Sequence, residues 1–267
     1  MPTQVVLTVW KLQNLEDGWQ ESLECFDAVS PKIMDGKRWF RPSESEQLFE
    51  AIESAGCEKH GWGYHYCRDV SAARNEGMVA AKRCNALGVT TYWVNVEKHW
   101  AGTSGEPQTE SPPDAIIAFV EAFREFSQCR LFFNGFAWKR TSKEAGSRPL
   151  CTDEILDYFD GFSPMLYGTK ARTIERKWRK RRVRLDNKEH IKWAPMVGTG
   201  RVDARGNVWG FAKDQGSSPG IVSLNREEPA DFVAFFYGAS CRPMLLKGNE
   251  YNPSLMELAE QLRCKSG

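Results

Sequence analysis

Short apolar runs alternate with amphipathic stretches along the whole chain. Each run ends in polar or glycine-rich sequence, a pattern that predicts buried strands. Eight segments are predicted to be strands: residues 5–10, 31–34, 62–67, 90–97, 130–136, 161–167, 191–197 and 232–237. The stretches between them predict helices at residues 44–55, 72–87, 113–128, 152–159, 173–184 and 254–264.

This alternation of strands and helices favours a parallel sheet with right-handed crossovers. Eight such units close into a (β/α)8 barrel of the TIM type, an α/β fold, and the length of 267 residues agrees with it. No linker divides the sequence, so we expect a single barrel domain over residues 1–267. An open doubly wound sheet is the alternative, although neither a GxGxxG nor a Walker A motif favours it.

Composition adds few constraints to this picture. The chain is 41% apolar and 27% charged, and its net charge of +1 gives no reason to expect a nucleic acid partner. The eight cysteines show no CxxC spacing, so we expect no metal, no cofactor and free thiols rather than disulfides. With neither a signal-peptide pattern nor an apolar stretch of about 20 residues, we expect a protein made in the cytoplasm, with no membrane association.

In barrels of this type the active site lies at the carboxyl ends of the strands, and the fourth strand is the most informative there. Its two-residue period places Trp93, Asn95 and Glu97 on one face, with Glu97 last. A carboxyl walled by Trp93 and Trp100 would be partly desolvated, which raises a carboxyl pKa toward that of a general acid. Glycoside hydrolysis needs such an acid, although an isolated Glu that pairs with Lys98 is the simpler alternative.

The other strand ends supply further polar and aromatic side chains. The second strand ends in Asp35, which we predict to be a second catalytic carboxyl beside Glu97 and Asn95. On the third strand, either Tyr64 and Tyr66 or His65 and Cys67 face the interior, but not both pairs. A rim of this composition suits sugar rings, which stack on aromatic faces and need hydrogen bonds for their hydroxyls. The predicted substrate-binding residues are Tyr64, Tyr66, Trp93, Asn134, Tyr167 and Tyr237.

Three of these segments resemble the muramidases of glycoside hydrolase family 25, which are bacterial and phage lysozymes built on a β/α barrel. Lys32-Ile-Met-Asp-Gly36 resembles the Lys-Ala-Thr-Glu-Gly of the family's second strand, and Gly63-Tyr-His-Tyr66 its Gly-x-Tyr-His-Phe third strand. Asn95-Val-Glu97 is similar to the Asp-x-Glu of its fourth strand. The resemblance covers roughly residues 30–100 and implies that Glu97 is the catalytic acid.

The sequence also departs from that family. The end of the first strand, Thr8-Val-Trp-Lys11, lacks the family's Asp, and Asn95 replaces the Asp of the fourth-strand motif. The Asn-x-Glu pair instead resembles the endo-β-N-acetylglucosaminidases of family 85, in which an Asn orients the substrate acetamido group that acts as nucleophile. Family 18 chitinase-like barrels use Asp-x-Glu similarly, and Met165-Leu-Tyr167 resembles their sixth-strand Met-x-Tyr. This resemblance implies substrate-assisted hydrolysis, which needs no second enzyme carboxylate.

The sequence therefore predicts a glycosidase that acts on a polymer of N-acetylhexosamine, with peptidoglycan as the favoured substrate. Glu97 would be the general acid and Asn95 would orient the substrate acetamide. The alternative is a barrel that has lost catalysis and binds glycan, or serves as a structural component of a phage or injection particle. Without an export signal, the protein would meet its polymer after lysis or as part of a particle.

A basic segment at residues 170–184 contains nine Lys or Arg residues. Nucleic acid or an anionic glycan could dock there, but no aromatic stacking platform accompanies the charge. We favour a solvated outer helix of the barrel, with Ile174, Trp178 and Val183 facing inward.

Overall fold

The computed structural model describes residues 2–15, 17–96, 112–135, 153–166, 171–198, 201–202, 208–209, 217–237 and 254–263. Parallel strands alternate with helices through most of these ranges. The strands are β1 (Gln4–Val9), β2 (Ala28–Asp35), β3 (Arg38–Trp39), β4 (Glu58–Tyr64), β5 (Thr91–Val96), β6 (Arg130–Gly135), β7 (Gly161–Pro164), β8 (Lys192–Trp193), β9 (Met196–Gly198), β10 (Arg201–Val202), β11 (Val208–Trp209) and β12 (Phe232–Tyr237). The helices are α1 (Trp19–Ser22), α2 (Pro42–Ser54), α3 (Val70–Leu87), α4 (Pro112–Phe126), α5 (Asp153–Leu156), α6 (Ala171–Arg182), α7 (Ser217–Glu227) and α8 (Leu255–Arg263).

The main sheet is curled, and its strand order is β8-β7-β6-β5-β4-β2-β1-β12-β9, with the short β3 paired to β2. The two end strands, β8 and β9, are separated in the chain by only Ala194 and Pro195. The Ala194 amide donates to the Phe162 carbonyl in β7, and the Ala234 amide in β12 donates to the Pro195 carbonyl, both at 3.0 Å. Because proline has no amide hydrogen to donate, the strand ladder breaks at this point, and the sheet is not an unbroken ring.

Each of the eight predicted strands overlaps an observed strand, with the seventh divided into β8 and β9. The third strand ends at Tyr64, three residues before the predicted end at residue 67. Helix α7 is not among the predicted helices; Ile221, Val222 and Leu224 are buried and give it an apolar face. The single domain over residues 1–267 stays a prediction.

Two apolar clusters pack on opposite faces of the sheet, as the alternation of side chains along a strand requires. In β1, Val5 and Leu7 belong to the larger cluster between the sheet and the helices, whereas Val6 belongs to the smaller cluster inside the curl. Trp93 and Phe132 lie at the centre of the inner cluster, with ring centroids 5.1 Å apart. The interior is therefore filled with side chains up to the carboxyl ends of the strands.

The basic helix α6 is an outer helix, and its Trp178 faces inward, as predicted. Trp178 has no exposed area and packs edge-on against Trp193 at 5.7 Å. Val183 is 64% exposed, contrary to the prediction, because it begins a 3-10 turn after the helix ends at Arg182. The Ile174 side chain lies outside the described residues.

Two global features concern the chain as far as the structure describes it. The five cysteines within those ranges are free thiols: Cys25, Cys57, Cys67, Cys84 and Cys129. Among the described helices, none combines the length and the apolar character that crossing a membrane requires.

Candidate active site

One register level of the sheet collects four of the predicted site residues. The Cα of Asp35 in β2 pairs with that of Tyr64 in β4, and Tyr64 pairs with Asn95 in β5. Asn95 in turn pairs with Asn134 in β6, and Asn134 with Ser163 in β7. Five neighbouring strands therefore place a carboxylate, a phenol, two amides and a hydroxyl in one row, near the carboxyl ends where such folds build active sites. We call this set of residues the polar row.

A β-bulge in β2 determines which side chains reach the interior. The register shifts between Lys32 and Met34, and both Ile33 and Met34 belong to the outer cluster. In a regular strand Lys32 and Asp35, three residues apart, would face opposite sides of the sheet. The extra residue of the bulge brings them to one side, where the Lys32 Nζ lies 3.4 Å from the Asp35 Oδ1.

The Lys32 ammonium is enclosed by aromatic rings, and the side chain is only 7% exposed. The ring centroids of Phe40, Trp62 and Tyr64 lie 4.4, 5.4 and 5.7 Å from Nζ, and that of Trp10 lies 6.0 Å away. Cation–π attraction compensates part of the hydration that the ammonium loses on burial. The sequence did not predict Lys32 as a site residue; the signal was a lysine within an otherwise apolar strand.

Hydrogen bonds along the polar row fix the orientation of both amide side chains. The Asn134 Nδ2 donates to the Ser163 Oγ at 2.9 Å and to the Ser163 carbonyl at 3.1 Å. The Asn134 Oδ1 therefore faces Asn95 and accepts from its Nδ2 at 3.4 Å. This chain of donors turns the Asn95 carbonyl oxygen away from Asn134. Asn95 and Asn134 are 4% and 2% exposed, so their neighbours hold them rigidly.

Tyr66 reaches the same rim from the turn that follows β4. Its hydroxyl donates to the Asp35 Oδ1 at 3.3 Å, and its ring packs edge-on against that of Tyr64 at 5.4 Å. Gly36, at φ +58°, makes this position possible, because a Cβ there would lie 2.7 Å from the Tyr66 ring. Asp35, Tyr64 and Tyr66 thus form one half-buried group.

Glu76 of α3 holds this turn from behind. Its carboxylate accepts from the backbone amides of Tyr66 and Cys67, both at 3.1 Å, and lies 3.0 Å from the His65 Nδ1. Burial raises the pKa of Glu76, but these hydrogen bonds outweigh it, and the net pKa lies below the ordinary value. His65 faces the helices, where its Nε2 lies 2.7 Å from the Tyr92 hydroxyl. The sequence left the inward pair of this strand open, and the structure turns Tyr64 inward and His65 outward.

Two predicted substrate-binding residues lie away from the polar row. Trp93 is fully buried one level deeper, and its Nε1 donates to the His60 Nδ1 at 3.3 Å. Tyr237 is fully buried in the outer cluster, and Phe236 occupies the inward position. Glu97 and Tyr167 lie outside the described residues. Ser163, which completes the row, was not predicted as a site residue, because its place beside Asn134 depends on the register between β6 and β7.

The described residues contain no group of three or more His, Cys, Asp or Glu side chains arranged to hold a metal ion. The polar groups near the polar row are instead amides, hydroxyls, one carboxylate and one ammonium. Such a set is suited to hydrogen bonding with a polyhydroxylated ligand.

Comparison with known proteins finds similarity in structure alone. No protein-family model matches the chain, and no curated protein sequence matches it. A chitinase from Bacteroides thetaiotaomicron superposes with a TM-score of 0.68 and 9% identity, over 99% of this chain and 98% of that one. A chitinase from Chromobacterium violaceum gives a TM-score of 0.64 and 10% identity, over 97% and 99% of the two chains.

Two bacterial lytic proteins are also similar in structure. The spore cortex-lytic enzyme SleL from Bacillus megaterium gives a TM-score of 0.59 and 9% identity, over 88% of this chain and 70% of that one. The modular autolysin LytC from Streptococcus pneumoniae gives a TM-score of 0.44 and 11% identity, and the match spans 59% of this chain and 37% of that protein, too weak a likeness to carry an argument. At these identities the comparisons establish the fold alone, a parallel α/β fold of the TIM-barrel kind. They do not single out family 25.

Proposed function

We propose that this chain is a glycoside hydrolase that cleaves a polymer containing N-acetylhexosamine, with bacterial peptidoglycan as the favoured substrate. The polar row carries this proposal, since it places Asp35, Tyr64, Asn95 and Asn134 at one level near the carboxyl ends of the strands. The fold supports it, because the similar structures include two chitinases and a spore cortex-lytic enzyme. We further propose that residues 1–267 form a single domain of the (β/α)8 barrel type, since residues 192–198 bond to strands on both sides.

In this proposal Glu97 is the general acid that protonates the leaving glycosidic oxygen. It follows Val96, the last residue of β5, and stands two positions after Asn95. The two-residue period of a strand would place its carboxyl on the same side as the Asn95 amide. A general acid within reach of the scissile bond contributes about 10²- to 10⁴-fold to the rate.

Asn95 positions the substrate acetamide so that the substrate supplies its own nucleophile. The hydrogen bonds from Asn95 to Asn134 and from Asn134 to Ser163 turn the Asn95 carbonyl oxygen away from Asn134. That oxygen can accept the N–H of a 2-acetamido group. The acetamide oxygen would then attack the anomeric carbon while Glu97 protonates the departing oxygen. This route explains how an Asn-x-Glu pair works without a second nucleophilic carboxylate.

Asp35 binds the substrate in this scheme rather than attacking it. Its Oδ1 already accepts from Tyr66 and lies near the Lys32 ammonium, and its side chain is 37% exposed. A carboxylate that is oriented in this way can accept hydrogen bonds from sugar hydroxyls, and the adjacent ring of Tyr64 can cover an apolar sugar face. Tyr66 and Asn134 contribute to the same surface, and Tyr167 stays a predicted contributor.

The test is to incubate the purified protein with peptidoglycan and with N-acetylglucosamine oligosaccharides, and to measure new reducing ends. We expect cleavage by the wild type and a loss of at least about 100-fold in Glu97→Gln, with the melting temperature unchanged. Glu53→Gln is the matched control, because Glu53 is an exposed glutamate on α2 that pairs with Lys59. Unchanged turnover in Glu97→Gln would exclude Glu97 as the acid.

The same assay separates the enzyme from a non-catalytic barrel. A wild-type protein that sediments with the polymer but releases no reducing sugar would support the glycan-binding or structural role and overturn the hydrolase assignment. This second function is considered because Asn95 stands where the family 25 motif has an Asp.

A further inference from the structure

Trp10 stands at the rim of the sheet, next to the polar row but not part of it. It directly follows Val9, whose Cα pairs with Pro31 in β2 and with Tyr237 at the end of β12. The Trp10 backbone amide donates to the Tyr237 carbonyl at 3.2 Å, which holds the residue at the carboxyl end of β1. Tyr237, a predicted binding residue on this side of the rim, has its side chain buried in the outer cluster and does not reach the mouth.

Exposure of the Trp10 side chain contrasts with that of most described tryptophans. Trp10 is 39% exposed, whereas Trp62 and Trp93, which belong to the interior cluster, are 6% and 0% exposed. An indole ring left in water forgoes the free energy that its burial would provide, so exposed aromatic area often marks a binding surface. At the mouth of a fold of this type, such a ring is available to a ligand.

Charged groups surround the Trp10 ring. The Lys32 Nζ lies 6.0 Å and the Lys11 Nζ 5.4 Å from the ring centroid. The Lys32 Nζ is also 3.4 Å from the Asp35 Oδ1, so the ring stands beside both an ammonium and a carboxylate. An apolar face flanked by hydrogen-bond donors and acceptors matches a pyranose ring, which has apolar C–H faces and hydroxyls at its edge.

We propose that Trp10 forms the floor of a sugar-binding subsite on the first-strand side of the mouth. One N-acetylhexosamine ring of the glycan stacks on the indole, while its hydroxyls bond to the Asp35 carboxylate, which the Lys32 ammonium holds in place. The β2 bulge is essential to this arrangement, because it brings the Lys32 and Asp35 side chains to the same side of the sheet. This inference rests on the proposed function and adds to it the subsite that binds a sugar unit beside the polar row.

The test is a calorimetric titration with an N-acetylglucosamine tetramer, in a Glu97→Gln background so that the oligosaccharide is not consumed. Trp10→Ala should weaken binding by about tenfold or more, and Trp10→Phe should retain most of the affinity because it keeps an aromatic face. Trp39→Ala is the matched control. Trp39 is an even more exposed tryptophan, at 46%, but it lies on β3 and stacks with Arg83 at 4.4 Å. The control should bind within about twofold of the parent.

A second measurement does not depend on the stability of the variants. In ¹⁵N-labelled protein, the indole N–H resonance of Trp10, assigned by its disappearance in Trp10→Phe, should shift on addition of the tetramer, and that of Trp39 should not. Equal affinity of Trp10→Ala and the parent, or an unmoved Trp10 resonance while the tetramer binds, would overturn the subsite and leave the hydrolase proposal intact. A wild type that neither binds nor cleaves the tetramer or peptidoglycan would overturn both.

Discussion

The same three strands, β4, β5 and β6, carry polar groups at both of their ends, and the two ends differ in how those groups are partnered. At the amino end, Glu58 of β4 accepts from the Thr90 hydroxyl at 2.6 Å and pairs with Arg130 of β6. The Nε2 of His60 lies 3.6 Å from the Glu58 Oε1. At the carboxyl end, Tyr64 and Asn95 belong to the polar row, beside the half-exposed Asp35.

The electrostatics of the amino-end group indicate a structural role. Contacts with His60, and then with Thr90 and Arg130, outweigh burial and lower the pKa of Glu58 to about 2. Burial lowers the pKa of His60, which therefore stays neutral at pH 7. The Glu58 carboxylate is bonded to Thr90 and Arg130 within the chain, as expected at the face of a barrel that supports stability. The carboxyl end keeps a partly exposed carboxylate and phenol that a ligand can engage.

The largest effect on turnover at the carboxyl end is expected at Asn95. Asn95→Ala should lower the rate of glycan cleavage by about 10- to 100-fold, because the substrate acetamide loses the group that orients it. Asn95→Asp should retain more of the rate than Asn95→Ala, since a carboxylate can also accept the acetamide N–H. Turnover numbers on an N-acetylglucosamine oligomer, corrected for folded fraction by circular dichroism, measure both variants.

Thr91→Ala is the control at the other end of β5. The Thr91 side chain is buried and lies two residues before Trp93 in the strand. It should alter stability and leave the turnover of the folded protein unchanged. If Thr91→Ala and Asn95→Ala reduce turnover equally, the two ends of the strand do not differ in function.

The location of the strands and the inward face of Asn95 could be predicted from the sequence. Apolar runs and their polar ends located all eight strands, and alternation placed Asn95 on the inner face. The β2 bulge could not be predicted, because the position of an extra residue depends on the pairing of β2 with β4. Without it, the sequence gives no reason to place Lys32 beside Asp35.

The two-residue alternation did not predict how deep a side chain lies in the interior, or which face of the sheet the last residue of a strand is on. Trp93 does share a face with Asn95, but it lies one level deeper, where its ring packs against Phe132 and His60. Tyr237 ends β12 on the outer face, and Phe236 takes the inner one. Residue type at a strand end is therefore insufficient, because the register with neighbouring strands decides which side chain reaches the mouth.

The next effect concerns stability at the amino end. Glu58→Gln should lower the free energy of unfolding at pH 7 by about 1–2 kcal/mol. This is less than the full pKa shift implies, because solvent screens the partly exposed Glu58 and Arg130 side chains. The native pKa of Glu58 is depressed from 4.5 to about 2, so its contribution is complete above pH 4.5 and is lost as the pH falls toward 2. Urea unfolding of wild type and variant across this range should show the difference shrinking to zero.

His60 acts in the same direction over a higher range. Its pKa is lowered from 6.5, so the neutral form that folding requires becomes costly as the pH falls below that value. Wild-type stability should therefore begin to decline below about pH 6.5. A constant stability difference between wild type and Glu58→Gln from pH 7 down to pH 2 would contradict the structural role assigned to the amino-end group.

The smallest effect is expected at Thr90, which joins the amino-end group from the surface. Its hydroxyl donates to Glu58 at 2.6 Å and to the Lys59 carbonyl at 3.2 Å, but the residue is exposed. Thr90→Val keeps the β-branched shape and removes the hydroxyl, and water can replace the lost donor, so we expect a loss of only about 0.5 kcal/mol and unchanged turnover. Because this pair contributes to the low pKa of Glu58, the acid limb of the stability curve should move to slightly higher pH in the variant. A loss of turnover without a loss of stability would instead connect the amino end to catalysis, and the division of labour between the two ends would have to be abandoned.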